Sequence, residues 1–384
     1  RDGLPVGEYY ALMLFAIVGM MLMAQAQELL LLFLALETMS IAVYVLTGLR
    51  RDQADASEAA FKYFLLGAFA SAFFLYGIAF IYGATGTTHL ERAGAAIAAQ
   101  SMTDNPMLLV AVGLLVVGFA FKVAAVPFHM WSPDAYEGAP AVVTGFMSTG
   151  VKAAAIAAFA RVFLSALGPL VDDWTPVLWV IAALTMVVGT VVGVSQTSIK
   201  RMLAYSSIAH AGYLMVAIIA ANDVGKAALL FYLASYAVTN VGAFGIIALL
   251  GSRDRANDDL RDYAGLAHSH PVLAALMTIF LLSLGGFPPT AGFIAKWYAF
   301  SAAVTEGYYW LAIIGFLSSV VSVYFYLRIV VMMYMTERDA RPVPPQVGGV
   351  ALAGLVVSVA AVLYLGVLPA QVISWAEQSI ATIF

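Results

Sequence analysis

Residues 106–140 read PMLLVAVGLLVVGFAFKVAAVPFHMWSPDAYEGAP. An apolar run that is typical of a buried or membrane helix contains a lysine, Lys122, and is then interrupted by Pro127. Proline removes a backbone donor and clashes with the preceding helical turn. Lipid tolerates such a break only where protein or water satisfies the freed backbone groups. The stretch therefore predicts a broken membrane helix with a charge inside it.

The composition of the whole chain agrees with a lipid environment. Of 384 residues, 63% are apolar and 10% are charged, with a mean hydropathy of +0.93. Soluble domains have about 45–50% apolar and about 25% charged residues. A net charge of −4 gives no basic surface for nucleic acid, and the absence of cysteine excludes disulfides and thiolate metal sites. The composition predicts an all-α polytopic membrane protein with about eleven crossings.

The predicted spans are apolar runs separated by polar residues, glycine or proline. They cover residues 9–26, 28–49, 59–83, 106–128, 139–166, 174–195, 200–221, 226–251, 271–300, 308–336 and 347–368. The ninth span contains Gly285-Gly286-Phe287-Pro288-Pro289, which predicts a second broken helix. The remaining tail, 370–384, is expected at the interface or against a neighbouring subunit.

The distribution of Lys and Arg predicts the orientation. Ten lie on one side of the predicted spans, three on the other, and five inside them. The ten-residue side is expected in the cytoplasm, which gives a cytoplasmic N-terminus and a periplasmic C-terminus. The chain starts at Arg1 rather than Met, without a recognisable signal peptide, so we expect upstream residues to be missing.

Self-comparison predicts a duplication of five helices. Residues 59–83 match 227–251 at a spacing of 168, Tyr44 matches Tyr213 at 169, and Lys122 is paired with Lys296 at 174. An odd number of helices per unit inverts the second copy. We therefore expect two inverted repeats and an appended segment, namely 9–166 with the broken helix 106–130, 174–336 with the broken helix 271–300, and 347–384.

Charges within the predicted spans are the candidate functional groups. A central charge costs about 2.5–3.5 kcal/mol on insertion scales, so Glu37, Lys122, Lys152 and Lys296 together oppose insertion by roughly 10 kcal/mol. One reading is that they form ion pairs that hold helices together, but one acid cannot neutralise three lysines. The other reading is proton transfer, for which lysine is suited because its surroundings control how readily the ammonium releases a proton.

Further candidates are less central. His210 lies mid-span among hydroxyl residues, where a neutral imidazole could pass protons from Lys152 towards Lys296 or could simply be a satisfied core residue. Lys62 is expected either to reach towards the interface or to take part in transfer. His129 is expected at the mouth of the first broken helix. Asp134 and Glu137 are expected to be mostly solvated or to cap helices.

The chain resembles a known family in two motifs. Residues 121–140 are similar to the signature of the antiporter-like subunits of respiratory complex I, and Ser206-Ser-Ile-Ala-His-Ala-Gly-Tyr213 is most similar to the N-type branch, the equivalent of mitochondrial NADH dehydrogenase subunit 2. The resemblance implies fourteen helices in bacterial members, of which three would precede this chain. It implies that Glu37 is the modulating glutamate, Lys122 the switch lysine and Lys152 the central lysine. His210 would connect them to the terminal lysine, Lys296.

The function implied by the resemblance is proton translocation within an NADH–quinone oxidoreductase of the bacterial inner membrane. NADH, FMN, iron–sulfur clusters and quinone would be handled by other subunits, since this chain has no phosphate-binding glycine loop or dinucleotide motif. The implied partners are an M-type neighbour, the small K-type subunit, the lateral helix of the L-type subunit and lipid. A subunit of a multisubunit sodium/proton antiporter, a membrane-bound hydrogenase subunit and a scaffold with ion pairs remain open.

Overall fold

The computed structural model describes residues 5–99, 105–251, 258–337 and 348–383, and the regular structure in them is helical. The first half contains α1 Val6–Gln25, α2 Leu29–Thr47, α3 Ala54–Thr85, α4 Leu90–Ala99, α5 Pro106–Val123, α6 Trp131–Gly138, α7 Ala141–Phe146 and α8 Lys152–Arg161. The second half contains α9 Val171–Val194, α10 Ile199–Ala220, α11 Asp223–Leu250, α12 Leu266–Ser269, α13 Pro271–Gly285, α14 Ala291–Thr305, α15 Tyr309–Met335, α16 Gly349–Val367 and α17 Ala370–Ile383.

The membrane spans are close to those predicted. Ten helical segments in the described residues are long and apolar enough to cross a bilayer, and α7 with α8 counts as one of them, Ala141–Ala166. The predicted ninth span consists of two helices of 15 residues, α13 and α14. Helix α10 is buried along nearly its whole length, whereas α1 and α16 expose most of their apolar side chains. The other helices therefore surround α10, and the outer helices of the bundle face lipid.

Several of the basic residues counted for the orientation lie outside the described residues, namely Arg1, Arg253, Arg255, Arg338 and Arg341.

The two breaks share one backbone geometry. After α5, Ala124 is left-handed with φ 60°, and the Ala125 N–H donates to the Ala120 carbonyl at 2.7 Å. After α13, Gly286 is left-handed with φ 83°, and the Phe287 N–H donates to the Leu282 carbonyl at 3.0 Å. Both are the six-to-one closure that ends many helices. The helix of the fourth span thus ends at Val123, four residues before Pro127.

This geometry corrects one predicted match between the halves. The breaks correspond at a spacing of 162, from Ala124 to Gly286. Lys122 lies before its break, whereas Lys296 lies after the second break on α14. The pairing of Lys122 with Lys296 was therefore wrong, because the lysines occupy opposite halves of the two broken helices.

Backbone contacts recur in both halves at a constant spacing of 170. The Leu29 N–H donates to the Thr88 carbonyl at 2.8 Å, and the Ile199 N–H donates to the Asp258 carbonyl at 2.7 Å. Isolated bridges join Glu28 to His89 and Ser198 to Asp259. The starts of α2 and α10 therefore correspond at a spacing of 170 residues, one more than the 169 predicted from Tyr44 and Tyr213. These contacts support the duplication, while the exact domain boundaries stay a prediction.

A large residue and a small residue exchange places between the halves. Phe74 of α3 packs against Gly118 of α5, and Gly242 of α11 packs against Phe280 of α13. A Cβ on Gly118 would lie 2.6 Å from the Phe74 ring, and one on Gly242 would lie 2.0 Å from Phe280. In both helix pairs one phenylalanine ring packs against one glycine, so the packed volume is the same. The residue types are exchanged between the two helices, so neither position keeps its residue type in the other half.

Two arginines support the ends of corresponding helices. Arg161 Nη1 donates to the Ala24 carbonyl near the end of α1 at 2.7 Å, and Arg328 Nη1 donates to the Val194 carbonyl at the end of α9 at 3.2 Å. The last carbonyls of a helix have no partner within it. Arg328 therefore satisfies a carbonyl at the end of α9.

Charged side chains hold the short helix α6 in place. Arg201 donates to Asp134 at 2.7 Å and to Glu137 at 2.9 Å, and Lys62 contacts Asp134 at 2.9 Å. Lys200 donates to the Glu137 carbonyl at 3.0 Å. The expectation that Asp134 and Glu137 are mostly solvated or cap helices was wrong, because their partners come from α3 and α10, far away in sequence.

We expect a methyl group at Gly189 to separate α9 from α10. A Cβ there would lie 2.6 Å from the Ala209 backbone nitrogen, and backbone cannot move aside as a side chain can. Gly189→Ala should cost about 1–3 kcal/mol of stability, measured as a lower thermal midpoint in detergent. Gly113→Ala is the matched control, since a Cβ at Gly113 meets nothing within 4 Å. Equal midpoints for the two variants would contradict this packing.

The α6 anchor should make stability depend on pH. Burial tends to raise the pKa of Asp134, but hydrogen bonds from Lys62 and Arg201 and their charges lower it overall. The carboxylate then stabilises the fold above its unfolded pKa of about 3.9, and this contribution is lost as pH falls through the lower folded pKa. Thermal midpoints should show Asp134→Asn below the parent at pH 6 and converging with it below about pH 4. A constant gap across that range would refute the assignment.

Candidate functional site

The three intramembrane lysines share one type of environment. Lys122, Lys152 and Lys296 are 4%, 4% and 5% exposed. Among the described residues, none of the three has a carboxylate within 4.0 Å. Each instead donates to a serine: Lys122 to Ser40 at 2.7 Å, Lys152 to Ser207, and Lys296 to Ser319 at 2.8 Å.

A tyrosine ring accompanies each lysine as well. The ammonium lies 5.6 Å from the Tyr44 ring for Lys122, 6.0 Å from Tyr236 for Lys152, and 5.1 Å from Tyr213 for Lys296. The negative face of an aromatic ring attracts a cation without being able to accept its proton. The lysines are therefore held by neutral groups only, which rules out direct ion pairing as their role in this conformation.

Lys152 follows a local widening of its helix. Residues Met147–Val151 form a π-helical turn between α7 and α8, a feature that is frequent at functional sites. The ammonium of Lys152 donates to the Ser207 carbonyl at 2.6 Å as well as to its hydroxyl. The Ser207 hydroxyl also lies 3.2 Å from the Tyr136 hydroxyl on α6. Lys152 is thus joined to the anchored helix α6 through Ser207.

Lys296 satisfies the second break directly. Its ammonium donates to the carbonyls of Leu284 at 2.9 Å and Gly285 at 3.2 Å, at the C-terminal end of α13. These carbonyls carry the negative end of the helix dipole and have no partner in the helix. The proline-containing break therefore creates the binding place for the lysine of α14.

The two ring nitrogens of His210 each lie within hydrogen-bond distance of a tyrosine hydroxyl. Its Nδ1 lies 2.7 Å from the Tyr232 hydroxyl, and its Nε2 lies 3.5 Å from the Tyr326 hydroxyl. Tyr326 in turn lies 2.5 Å from the Ser206 hydroxyl.

Sequence reasoning missed Tyr326. A signal was present, because Ser318, Ser322 and Tyr326 recur at intervals of four and therefore share one face of the apolar helix α15. All three are buried. A polar stripe on a membrane helix faces protein or water rather than lipid.

Glu37 does not form the expected direct pair with Lys122. Its carboxylate accepts a hydrogen bond from Ser71 at 2.5 Å, and no ion pair joins it to Lys122 in the described part of the chain. Glu37 lies on α2 and Lys122 lies on α5, and both helices pack against α3. Any hydrogen-bonded link between the two side chains would therefore have to pass through other groups.

The two further candidates lie away from the lysine line. His129 is half-buried in the turn between α5 and α6, at the mouth of the broken helix. The Lys62 side chain is 44% exposed and pairs with Glu58 at 2.7 Å as well as with Asp134. Lys62 therefore borders a charged pocket of about 610 Å³ instead of the core.

Comparisons with known proteins bear on this arrangement. A family model described as NADH:quinone oxidoreductase/Mrp antiporter, TM, matches residues 26–322. The chain is 49% identical to NADH-quinone oxidoreductase subunit N of Trichlorobacter lovleyi, over all of this chain and 79% of that protein.

Solved structures show the same fold. A chain of respiratory complex I from Thermus thermophilus is 40% identical with a TM-score of 0.84, over 96% of this chain and 79% of that one. A chain of the Mrp complex from Dietzia sp. has a TM-score of 0.88 over 97% of this chain and 77% of that one, but at 22% identity it shows the fold alone. The chain belongs to the NADH:quinone oxidoreductase/Mrp antiporter transmembrane family and, within it, to the N subunits of NADH-quinone oxidoreductase.

Proposed function

We propose that protons cross the membrane within this subunit along the line Lys152, His210 and Lys296. The observation that carries the proposal is the neutral surroundings of the buried lysines. A charge held only by hydroxyls, carbonyls and rings gains no ion-pair energy that would fix its protonation state. Such a group can exchange its proton, whereas a scaffold lysine would be expected beside a carboxylate.

Entry is proposed from the charged pocket beside α6. The pocket of about 610 Å³ is lined by Lys62, Asp134 and Glu137 among other residues. Tyr136, between the two acids in sequence, reaches the Ser207 hydroxyl that accepts from Lys152. With the orientation predicted from the Lys and Arg distribution, this pocket faces the cytoplasm.

Transfer between the lysines requires groups that both donate and accept. A neutral imidazole and a hydroxyl do both, whereas a carbonyl only accepts. His210 and the Tyr326 hydroxyl meet this requirement between Lys152 and Lys296, with ordered water completing the path. Release towards the periplasm would follow from Lys296, and Glu37 with Lys122 would modulate the cycle.

The energy would come from electron transfer in other subunits. We propose that NADH, FMN, iron–sulfur clusters and quinone are bound there. The proposed neighbours here are an M-type subunit, the K-type subunit, the lateral helix of the L-type subunit and lipid. The proposed location is the bacterial inner membrane.

Removing the terminal or the central lysine should impair pumping. In the assembled complex in proteoliposomes, Lys296→Met and Lys152→Met should each lower quinone-linked turnover or its proton yield by about tenfold or more, as expected for a lost proton-transfer group. Lys226→Met is the matched control, because Lys226 forms a surface pair with Asp223 at 3.1 Å. Full proton-to-electron stoichiometry in both core variants would reject the line. Sodium-dependent proton exchange without NADH-oxidising partners would instead favour an antiporter.

Removing the Tyr326 hydroxyl should slow the same step. Tyr326→Phe keeps the ring but deletes the contacts with Ser206 and His210, and we expect turnover to fall by about fivefold. Tyr263→Phe is the control, because the buried Tyr263 hydroxyl has no hydrogen-bond partner in the described structure. Proton pumping and NADH oxidation are measured on the same preparation. Indistinguishable effects of the two substitutions would show that the Tyr326 hydroxyl is dispensable.

A further inference from the structure

The ammonium of Lys122 has more N–H donors than it has hydrogen-bond acceptors among the described residues. A lysine ammonium has three N–H donors. Among the described residues, its hydrogen-bond acceptor is the Ser40 hydroxyl at 2.7 Å. The rings of Tyr44 and Tyr63 lie 5.6 Å and 5.8 Å away. Lys122 is 4% exposed, so its remaining donors face the interior, where an unmet polar group is costly.

A small cavity adjoins these donors. It measures about 10 Å³ and is lined by Leu36, Tyr44, Ala70, Ser71, Phe74, Gly118, Phe121 and Lys122. That volume corresponds to about one water-sized sphere. Lys122 and Ser71 both contribute to its wall.

Ser71 faces the cavity and Glu37 at once. Its hydroxyl donates to the Glu37 carboxylate at 2.5 Å. A hydroxyl that donates once still has two lone pairs with which to accept. Ser71 can therefore accept a hydrogen bond from a molecule in the cavity without releasing Glu37.

We propose that this cavity is a binding site for one water molecule, and that Ser71 is the positioning residue that links Glu37 to Lys122 through it. The water accepts from the Lys122 ammonium and donates to the Ser71 hydroxyl, which donates to the Glu37 carboxylate. The chain of donors runs in one direction, from the cation to the anion. The charge of Glu37 thereby influences Lys122 although the two side chains are not in contact. This inference rests on the proposed function for its readout.

A double-mutant cycle in the assembled complex tests the link. Ser71→Ala and Glu37→Gln should each lower proton-coupled turnover by about fivefold. The double variant should fall no further than the lower single variant, because both changes break one chain. Ser71→Thr keeps the hydroxyl and should restore the proton-to-electron ratio, which a merely structural role of Ser71 does not predict. Ser358→Ala on the outer helix α16, where the hydroxyl bonds only the Gly354 carbonyl in the described structure, is the control.

Several outcomes would overturn the inference. Additive losses in the double variant, or full pumping by Ser71→Ala, would show that Ser71 is not part of the link. A structure of the complex at a resolution that shows water supplies an independent measurement. Density within hydrogen-bond distance of both Lys122 Nζ and Ser71 Oγ is expected, and its absence refutes the site. If Lys296→Met loses pumping while Ser71→Ala keeps it, this inference fails and the proposed function stands. If both keep full pumping, the proposed function and this inference fail together.

Discussion

Lipid offers no hydrogen bonds, and this constraint connects the architecture to the chemistry. Every carbonyl freed by a helix break must find a donor inside the protein. At the second break, the ammonium of Lys296 uses its three donors on Leu284, Gly285 and Ser319. A neutral amine has only two donors. Loss of a proton from Lys296 would therefore also change the hydrogen bonding of the break, so the proposed proton site and the helix break are one structural unit.

Hydropathy and proline positions were enough to predict the approximate membrane spans and both interruptions, because burial in lipid acts on each segment separately. The short helices α4, α6 and α12 were not predicted. The partners of the charged residues were not predictable in the same way. Asp134 and Arg201 are 67 positions apart and meet only after α6 packs against α10. Tyr326 reaches His210 from 116 positions away. Such contacts depend on the packed bundle, and a single sequence gives no measure of them.

The proposed duplication is visible in the sequence only where packing kept the same residue types. Phe74 with Gly118 and Gly242 with Phe280 fill the same kind of contact with the residues exchanged, so an alignment by identity passes over them. The left-handed position is held by alanine in one half and glycine in the other. Because only glycine adopts that conformation without steric cost, Ala124 shows that the surrounding contacts, rather than local preference, fix the first break.

The two broken helices differ in how completely they satisfy their lysines. Lys296 has three acceptors among protein groups, whereas Lys122 has the Ser40 hydroxyl in the described structure. A fully coordinated ammonium is stabilised mainly by its own neighbours, and a distant charge adds little to that. An incompletely coordinated one depends more on whatever acceptor or charge is nearby. We therefore propose that Lys122 is the lysine whose state a carboxylate such as Glu37 alters, whereas Lys296 is anchored by its own protein acceptors.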